Sequence, residues 1–294
     1  MDFLSLEDFG SGVRVKGIKN FKTEHVFQCG QAFRWQVEDN GNYICVAFNR
    51  VIEIEESYGD LIIYNTNKED FNNIWMEYFD LDRDYGKIKD CLGQDPILKE
   101  SVEFGYGIRL LQQDPFEMLI TFIISANNRI PMIKRVIWNI SSRWGQRLIY
   151  KDKEYYTFPT VEELRGVTVE EIEECSAGFR AKYIVNAVEK ILQNNTDLRG
   201  IKDLSDDDCH KALKEFSGVG PKVADCIMLF SMQKYSAFPV DVWVKRAMQF
   251  FYVAPDVSLP KIREFGRSKF GDLSGFAQQY LFYNARENNI NIEV

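Results

Sequence analysis

The chain has few of the residues that bind metals. It contains two histidines, His25 and His210, and six cysteines, none of them in a Cys-x-x-Cys pair. Structural zinc needs closely spaced Cys and His ligands, so no zinc site is expected. No closely spaced set of cysteines stands near the C-terminus to hold an iron–sulfur cluster. Cys29, Cys45, Cys91, Cys175, Cys209 and Cys226 are scattered, which fits reduced thiols inside a cell. Long apolar runs are also missing, and none approaches the roughly 20 residues that span a bilayer, so no membrane partner is expected. The start, Met1-Asp2-Phe3-Leu4-Ser5-Leu6-Glu7-Asp8, is acidic and does not read as a signal peptide. Positive charge is not in excess either. The formal net charge is −8, which argues mildly against a nucleic-acid partner. The deficit is local, however. Residues 1–103 carry 11 Lys and Arg against 20 Asp and Glu, whereas residues 104–294 carry 25 against 24. The later part is therefore balanced enough to present a basic face.

With 294 residues, 45% of them hydrophobic, the chain can bury one large core or two ordinary ones. Residues from about 13 to 65 read as strands. Tyr43–Phe48 and Val51–Glu55 are alternating or β-branched, and Asn40-Gly41 marks a hairpin turn. Asp70 to Phe79 has helical spacing in Phe71, Ile74, Trp75 and Tyr78. From about residue 96 the pattern is helical to the end. Pro115 to Ala126 is apolar nearly all round and predicts a buried central helix. Thr160-x-x-Glu163 and Thr168-x-x-Glu171 read as capping boxes. The expected fold is α+β: a small antiparallel sheet domain over 1–103, then a mostly helical domain over 104–294.

One stretch of the helical part concentrates chemistry. It begins Phe216-Ser217-Gly218-Val219-Gly220-Pro221-Lys222-Val223-Ala224-Asp225-Cys226 and ends Pro239-Val240-Asp241. Gly218 and Gly220 allow a tight hairpin through positive φ, and Pro221 suits the first turn of a helix. Free N–H groups at such a helix start form an anion site. Lys222 stands just inside that helix, where the dipole disfavours a cation, and an amine kept neutral there is a nucleophile. Asp241 precedes the apolar run Val242-Trp243-Val244 and reads as an N-cap. Taken singly, Lys222 also reads as a surface lysine and Asp241 as an ordinary cap. The joint pattern is more specific.

That pattern resembles the helix-hairpin-helix DNA glycosylases with a catalytic lysine, and within them the 8-oxoguanine DNA glycosylase family. Gln28-Cys29-Gly30-Gln31-Ala32-Phe33-Arg34-Trp35 carries the resemblance into the first third of the chain. Read from the residues alone, Gly30 marks either a bulge or a close backbone approach to a ligand. The resemblance implies that its carbonyl reads the N7 hydrogen of 8-oxoguanine. It implies Lys222 as the nucleophile that forms a Schiff base and cuts by β-elimination, with Asp241 as its electrostatic partner. Cys226, Gln278 and Phe282 would line the base pocket. Asn127, Met132, Phe179, Arg180, Gly218, Gly220 and Trp243 would meet DNA or the orphaned base. The backbone carbonyls of Lys214, Phe216 and Val219 would hold a structural monovalent cation, and no other cofactor is implied. The implied partner is double-stranded DNA containing 8-oxoguanine, bound by a monomer. Residue use rich in Lys, Ile and Asn suggests an AT-rich bacterial genome, which would place the protein in the cytoplasm at the nucleoid.

Two positions depart from the family. Met132 falls where animal members have an arginine that checks for cytosine, and Trp243 replaces a histidine. Two competing readings are an alkylated-base glycosylase of the same fold, which would lack the lysine, and a non-catalytic DNA-binding module. The second explains Gly218 and Gly220 but leaves Lys222, Asp241, Gly30 and Gln278 unrelated.

Overall fold

The computed structural model describes residues 1–253 and 255–289. Its N-terminal layer is an antiparallel sheet of β1 (Ser5–Phe9), β2 (Gly12–Lys16), β3 (Trp35–Val37), β4 (Tyr43–Ala47), β5 (Arg50–Ser57) and β6 (Asp60–Tyr64), ordered β1-β2-β6-β5-β4-β3. β3 to β6 form a meander turned at Asn40-Gly41, with Gly41 at φ +84°. The first hairpin adds to the far edge, where Val13 pairs with Ile63.

The strand reading of 13–65 needs two corrections. β1 precedes it, and a helix, α1 (Thr23–Gln28), interrupts it. α1 buries Val26 and Phe27, and Phe27 stacks on Tyr43 at 5.8 Å. Gly30 therefore lies in the turn after α1, not within a strand. The helix expected near residue 70 is α2 (Lys68–Asp70), which passes through a π-turn, Phe71–Trp75, into α3 (Met76–Tyr78). The wider turn lets Phe71, Trp75 and Tyr78 all point into the core. Truncating fully buried Trp75 to alanine would cost about 3–5 kcal/mol.

The helical layer begins with α4 (Tyr85–Leu92), α5 (Pro96–Phe104), α6 (Pro115–Ser125) and α7 (Ile130–Trp144). Asp95 and Asp114 cap α5 and α6 just ahead of a proline, each accepting from two backbone N–H groups. Every residue of α6 from Met118 to Ile124 is buried, as its apolar run predicts. Next come α8 (Val169–Glu174), α9 (Ala181–Asn194), α10 (Leu198–Ile201), α11 (Asp206–Lys214), α12 (Pro221–Ser231), α13 (Val242–Phe251), α14 (Leu259–Phe270) and α15 (Ser274–Glu287). The Thr168–Glu171 capping box starts α8. Thr160 and Glu163 make the same reciprocal bonds, but only turns follow before Gly166 at φ +76°.

This region is not wholly helical. β7 (Arg147–Tyr150) and β8 (Lys153–Tyr156) form a hairpin on the outer face of the sheet. Its turn residues, Lys151 and Asp152, both have positive φ, a primed turn built without glycine. Tyr155 packs with Ile44, Val46 and Val51, while Tyr150 Oη and Lys151 Nζ meet the buried Glu53 carboxylate at 2.8 and 2.6 Å.

The two layers share residues across their junction. α4 and α5 supply Tyr85, Ile88, Leu92, Leu98 and Val102 to the helical core, which Cys29 and Phe33 also reach. Gln31 is fully buried. Its Nε2 donates to the carbonyls of Val26 and Arg109, and its Oε1 accepts from Leu111 N. The Gln31 carbonyl accepts from Gln113 Nε2 at 2.9 Å. Arg34 pairs with Glu117 of α6 at 3.2 Å and donates to the Tyr156 carbonyl of β8. The Gly30 turn is thus clamped from both sides.

Candidate active site

α11 and α12 enclose the glycine hairpin. Ser205 caps α11 through Asp208 N, and Val219 N closes the turn on the Phe216 carbonyl at 3.1 Å. Positive φ is needed at Gly218 only (+83°), where a Cβ would lie 2.8 Å from the Tyr183 ring. Gly220 is extended, φ −87° and ψ 179°, and serves as the N-cap of α12. A Cβ there would meet nothing within 4 Å, and no side chain caps the helix. Gly220's contribution is therefore open approach rather than a special dihedral. Backbone N–H groups facing that opening suit a phosphate. Neutral carbonyls such as those of Lys214, Phe216 and Val219 are the donor type a monovalent cation takes. Lys190 already brings an ammonium to this turn, donating to the Glu215 carbonyl at 2.6 Å.

Lys222, half-buried on the first turn of α12, lies 5.2 Å from the centre of the Phe122 ring. Phe122 is itself stacked on Phe230. One turn further, Cys226 is buried beside the Lys222 amine. Burial pushes its thiol up to about 11, although the ammonium pulls the other way, so the thiol is neutral at pH 7. Asp241 caps α13, its Oδ1 accepting from Trp243 N and Val244 N at 3.0 and 2.8 Å. Burial raises its pKa above the ordinary carboxylate value, opposed by the cap bonds and the charge of Lys222. The cap role and proximity to Lys222 are thus properties of one carboxylate.

Gly30 closes the other side. It has φ +81°, and a Cβ there would fall 3.0 Å from the Phe282 ring and 3.4 Å from Arg286 Nη1. Phe282 and Gln278 share a face of α15. The sequence could not say which of two neighbouring glutamines faces which way. Gln279 Nε2 donates to the Cys29 carbonyl at 2.5 Å and holds the turn. Gln278 is buried with its Oε1 unpartnered. An unpaired buried acceptor is what a bound ligand would satisfy.

A second cluster borders the hairpin. Asn127 is exposed in the left-handed region (φ 50°) at the end of α6. Arg180 is buried, and its guanidinium donates to the carbonyls of Ala126, Asn127 and Ala177. It fixes the turn that presents Asn127. Phe179 is 53% exposed, touches Arg180 and meets Tyr183 edge-on. Tyr183 in turn lies under Gly218. Met132 is 37% exposed on the first turn of α7. Trp243 lies beside Arg246, 4.9 Å away. Four site residues escaped the sequence reading: Gln31, Phe122, Gln279 and Arg286. Gln31, Phe122 and Gln279 stood in stretches already singled out, and Arg286 did not.

Comparisons with known proteins show the family. Residues 14–119 match the model of the 8-oxoguanine DNA glycosylase N-terminal domain. Residues 120–271 match that of the HhH-GPD superfamily base excision DNA repair proteins. The N-glycosylase/DNA lyase OGG1 of Arabidopsis thaliana is 31% identical over 280 residues, 87% of this chain and 75% of its own. A probable N-glycosylase/DNA lyase of Methanothermobacter thermautotrophicus is 35% identical over 236 residues, 73% and 75% of the two chains. A crystal structure of the Clostridium acetobutylicum 8-oxoguanine glycosylase/lyase, in complex with double-stranded DNA containing cytosine opposite 8-oxoG, is 61% identical. It superposes with TM-score 0.97 over 99% of this chain and 100% of that one. With both family models and the site geometry in agreement, the chain belongs to the 8-oxoguanine DNA glycosylase family of the HhH-GPD superfamily.

Proposed function

We propose that this protein excises 8-oxoguanine from duplex DNA and nicks the abasic strand, with Lys222 as the nucleophile. The observation that carries the reading is the placement of Lys222. Its amine lies over Phe122, beside neutral Cys226, with the part-buried Asp241 carboxylate close enough to feel its charge. Gly30 packs against the Phe282 ring, and its lack of a side chain is what permits that approach.

An enzyme acting on a paired base must extrude it, at a cost of a few kcal/mol. The open helix start at Gly220 would hold a phosphate without reading sequence. Exposed Phe179 would fill the vacated stack, and Asn127 would meet the orphaned base. In the base pocket Gly30 would accept from N7–H, Gln278 would read the Watson–Crick edge, and Phe282 would stack on one face. Cys226 would border the other face.

The Lys222 amine would then attack C1′. A C1′–N bond forms as the glycosidic bond breaks, and the electron pair leaves with the base, which takes up a proton. Positive charge develops on the sugar in this step, and the Asp241 carboxylate stabilises it. The adduct opens to a Schiff base. Loss of a C2′ proton then expels the 3′ phosphate. The amine, the DNA and protons account for every bond made or broken, so the reading asks for no cofactor, and no step passes through a cation at the hairpin. One chain carries the whole site, so a monomer suffices.

Borohydride trapping on a labelled duplex with 8-oxoguanine opposite cytosine tests the reading. Wild type is expected to give a covalent band, and Lys222→Gln none. Base release without any band would point to water as the nucleophile. Neither band nor release would leave a binding module as the better description.

A further inference from the structure

Beside Gly30 and Phe282 lies a cation that the mechanism above does not use. Arg286 stands one turn beyond Phe282 on α15, with its guanidinium 5.1 Å from the centre of that ring. The side chain is only 16% exposed. Nη2 donates to the Gln28 carbonyl and to Glu287, and Nε also donates to Glu287. Nη1 is buried and has no hydrogen-bond partner among the described residues, although it lies against Gly30. The charge reaches both Asp241 and Cys29.

A buried, idle donor on a charged group is costly, and an aliphatic side chain would pack on Phe282 without that penalty. The contacts to Gln28, Glu287 and Phe282 account for Nη2, Nε and the guanidinium face, but leave Nη1 idle. The unpartnered Gln278 Oε1 is a complementary acceptor on the same helix. Together they leave one buried donor and one buried acceptor on α15 without partners among the described residues.

We propose that Arg286 is a specificity-determining residue of the base pocket, its Nη1 donating to a carbonyl oxygen of the extruded oxidised purine. The inference rests on the base-excision reading above. The Hoogsteen edge of 8-oxoguanine runs acceptor, donor, acceptor: O6, N7–H, O8. If the Gly30 carbonyl takes N7–H, a donor lying against Gly30 meets one of the two flanking oxygens. Arg286 thereby adds a charged donor beside the neutral acceptor, and the pair matches the edge in a way that an isolated glycine carbonyl does not. Phe282 stacking and the Gln28 carbonyl hold the planar fork in place, which a lysine would not reproduce.

The test compares two reactions of one variant. Arg286→Met is expected to slow single-turnover excision of 8-oxoguanine by about ten- to a hundredfold, the range for one charge-assisted hydrogen bond. Arg286→Lys should fall between the variant and wild type. Strand cleavage and borohydride trapping on a duplex with a preformed abasic site should be unchanged in Arg286→Met, because no base is there to contact. Equal losses on both substrates would show a structural role and overturn the proposal. So would an unchanged excision rate. A wild type that neither releases 8-oxoguanine nor traps at the abasic site would instead sink the base-excision reading. Substituting 8-oxoadenine, which carries an amine in place of O6, identifies the oxygen. A loss confined to 8-oxoguanine assigns O6 and supports the contact, whereas a similar loss on both lesions is what a displaced Gly30 turn would give and overturns it.

Discussion

Asp241 does two jobs whose energetics oppose each other. As an N-cap it ties down two backbone N–H groups, and as a part-buried charge it is costly. Burial holds its folded pKa above the unfolded value, so between the two values the folded state keeps a proton that the unfolded chain has released. Stability therefore falls as pH rises through that window, and the full cost remains above it. Asparagine keeps the cap oxygen and drops the charge. Asp241→Asn is expected to raise Tm at pH 7, with the gain over wild type vanishing as pH falls below the ordinary carboxylate range. Its excision rate should drop about 10²–10³-fold. A lower Tm at pH 7 would show that the charge stabilises the fold. Met132 makes a second residue-scale prediction. A thioether cannot read a base edge as a guanidinium does. Excision opposite C, A, G and T should therefore differ less than in animal members of the family, and Met132→Arg should restore a preference for cytosine. Strict cytosine preference in wild type would rule this out. Lys222 and Asp241 were legible because a lysine at a helix start and an aspartate before an apolar run are locally odd or locally diagnostic. Arg286 was not, because nothing within α15 shows that its last turn reaches the Gly30 turn, more than 250 residues earlier in the chain.

At the scale of elements, the hairpin between α11 and α12 separates strain from access. Gly218→Ala would need a positive φ and would drive a methyl group into the Tyr183 ring. The expected cost is about 1–3 kcal/mol, read as a lower Tm. Gly220→Ala has an allowed backbone and open space. It should leave Tm nearly unchanged but weaken binding to undamaged duplex, because the methyl group stands where a phosphate approaches the helix. If both variants lose stability equally, the division between the two glycines is wrong. From the sequence these glycines looked equivalent, since both precede Pro221 and dihedrals are not written in composition. The β7–β8 hairpin escaped for a related reason. Its turn uses Lys151 and Asp152 at positive φ, where asparagine and glycine are the usual cue. Its partner surface, Ile44, Val46 and Val51, lies in another part of the chain. By contrast, α6 was plain, because its unbroken apolar run and its Asp114-Pro115 start are local signals.

The whole molecule ties its catalytic pocket to the junction of its two layers. Gly30 comes from the turn after α1, Phe282 from the last helix, and Lys222 and Asp241 from the helical layer between them. What fixes their spacing is Gln31, whose side chain and carbonyl bind four backbone or side-chain groups from α1 to Gln113. Two layers clamped this way should not unfold separately, even though family models divide the chain near residue 119. Far-UV circular dichroism and tryptophan fluorescence are expected to report one coincident transition. Trp35 and Trp75 sample the sheet layer, and Trp138, Trp144 and Trp243 the helical one. Gln31→Leu would leave Leu111 N and the carbonyls of Val26 and Arg109 buried without that partner. Each such group costs about 1–3 kcal/mol, against a total stability of roughly 5–15 kcal/mol. Both transitions should shift down together by roughly 5 °C or more. Excision should also slow, since the Gly30 turn loses its anchor, while trapping at a preformed abasic site should survive at a temperature where the variant is folded. If the two probes instead separate into two transitions, the layers are independent folding units. The Gly30 turn would then be positioned by Arg34, Gln279 and Arg286 rather than by the shared junction.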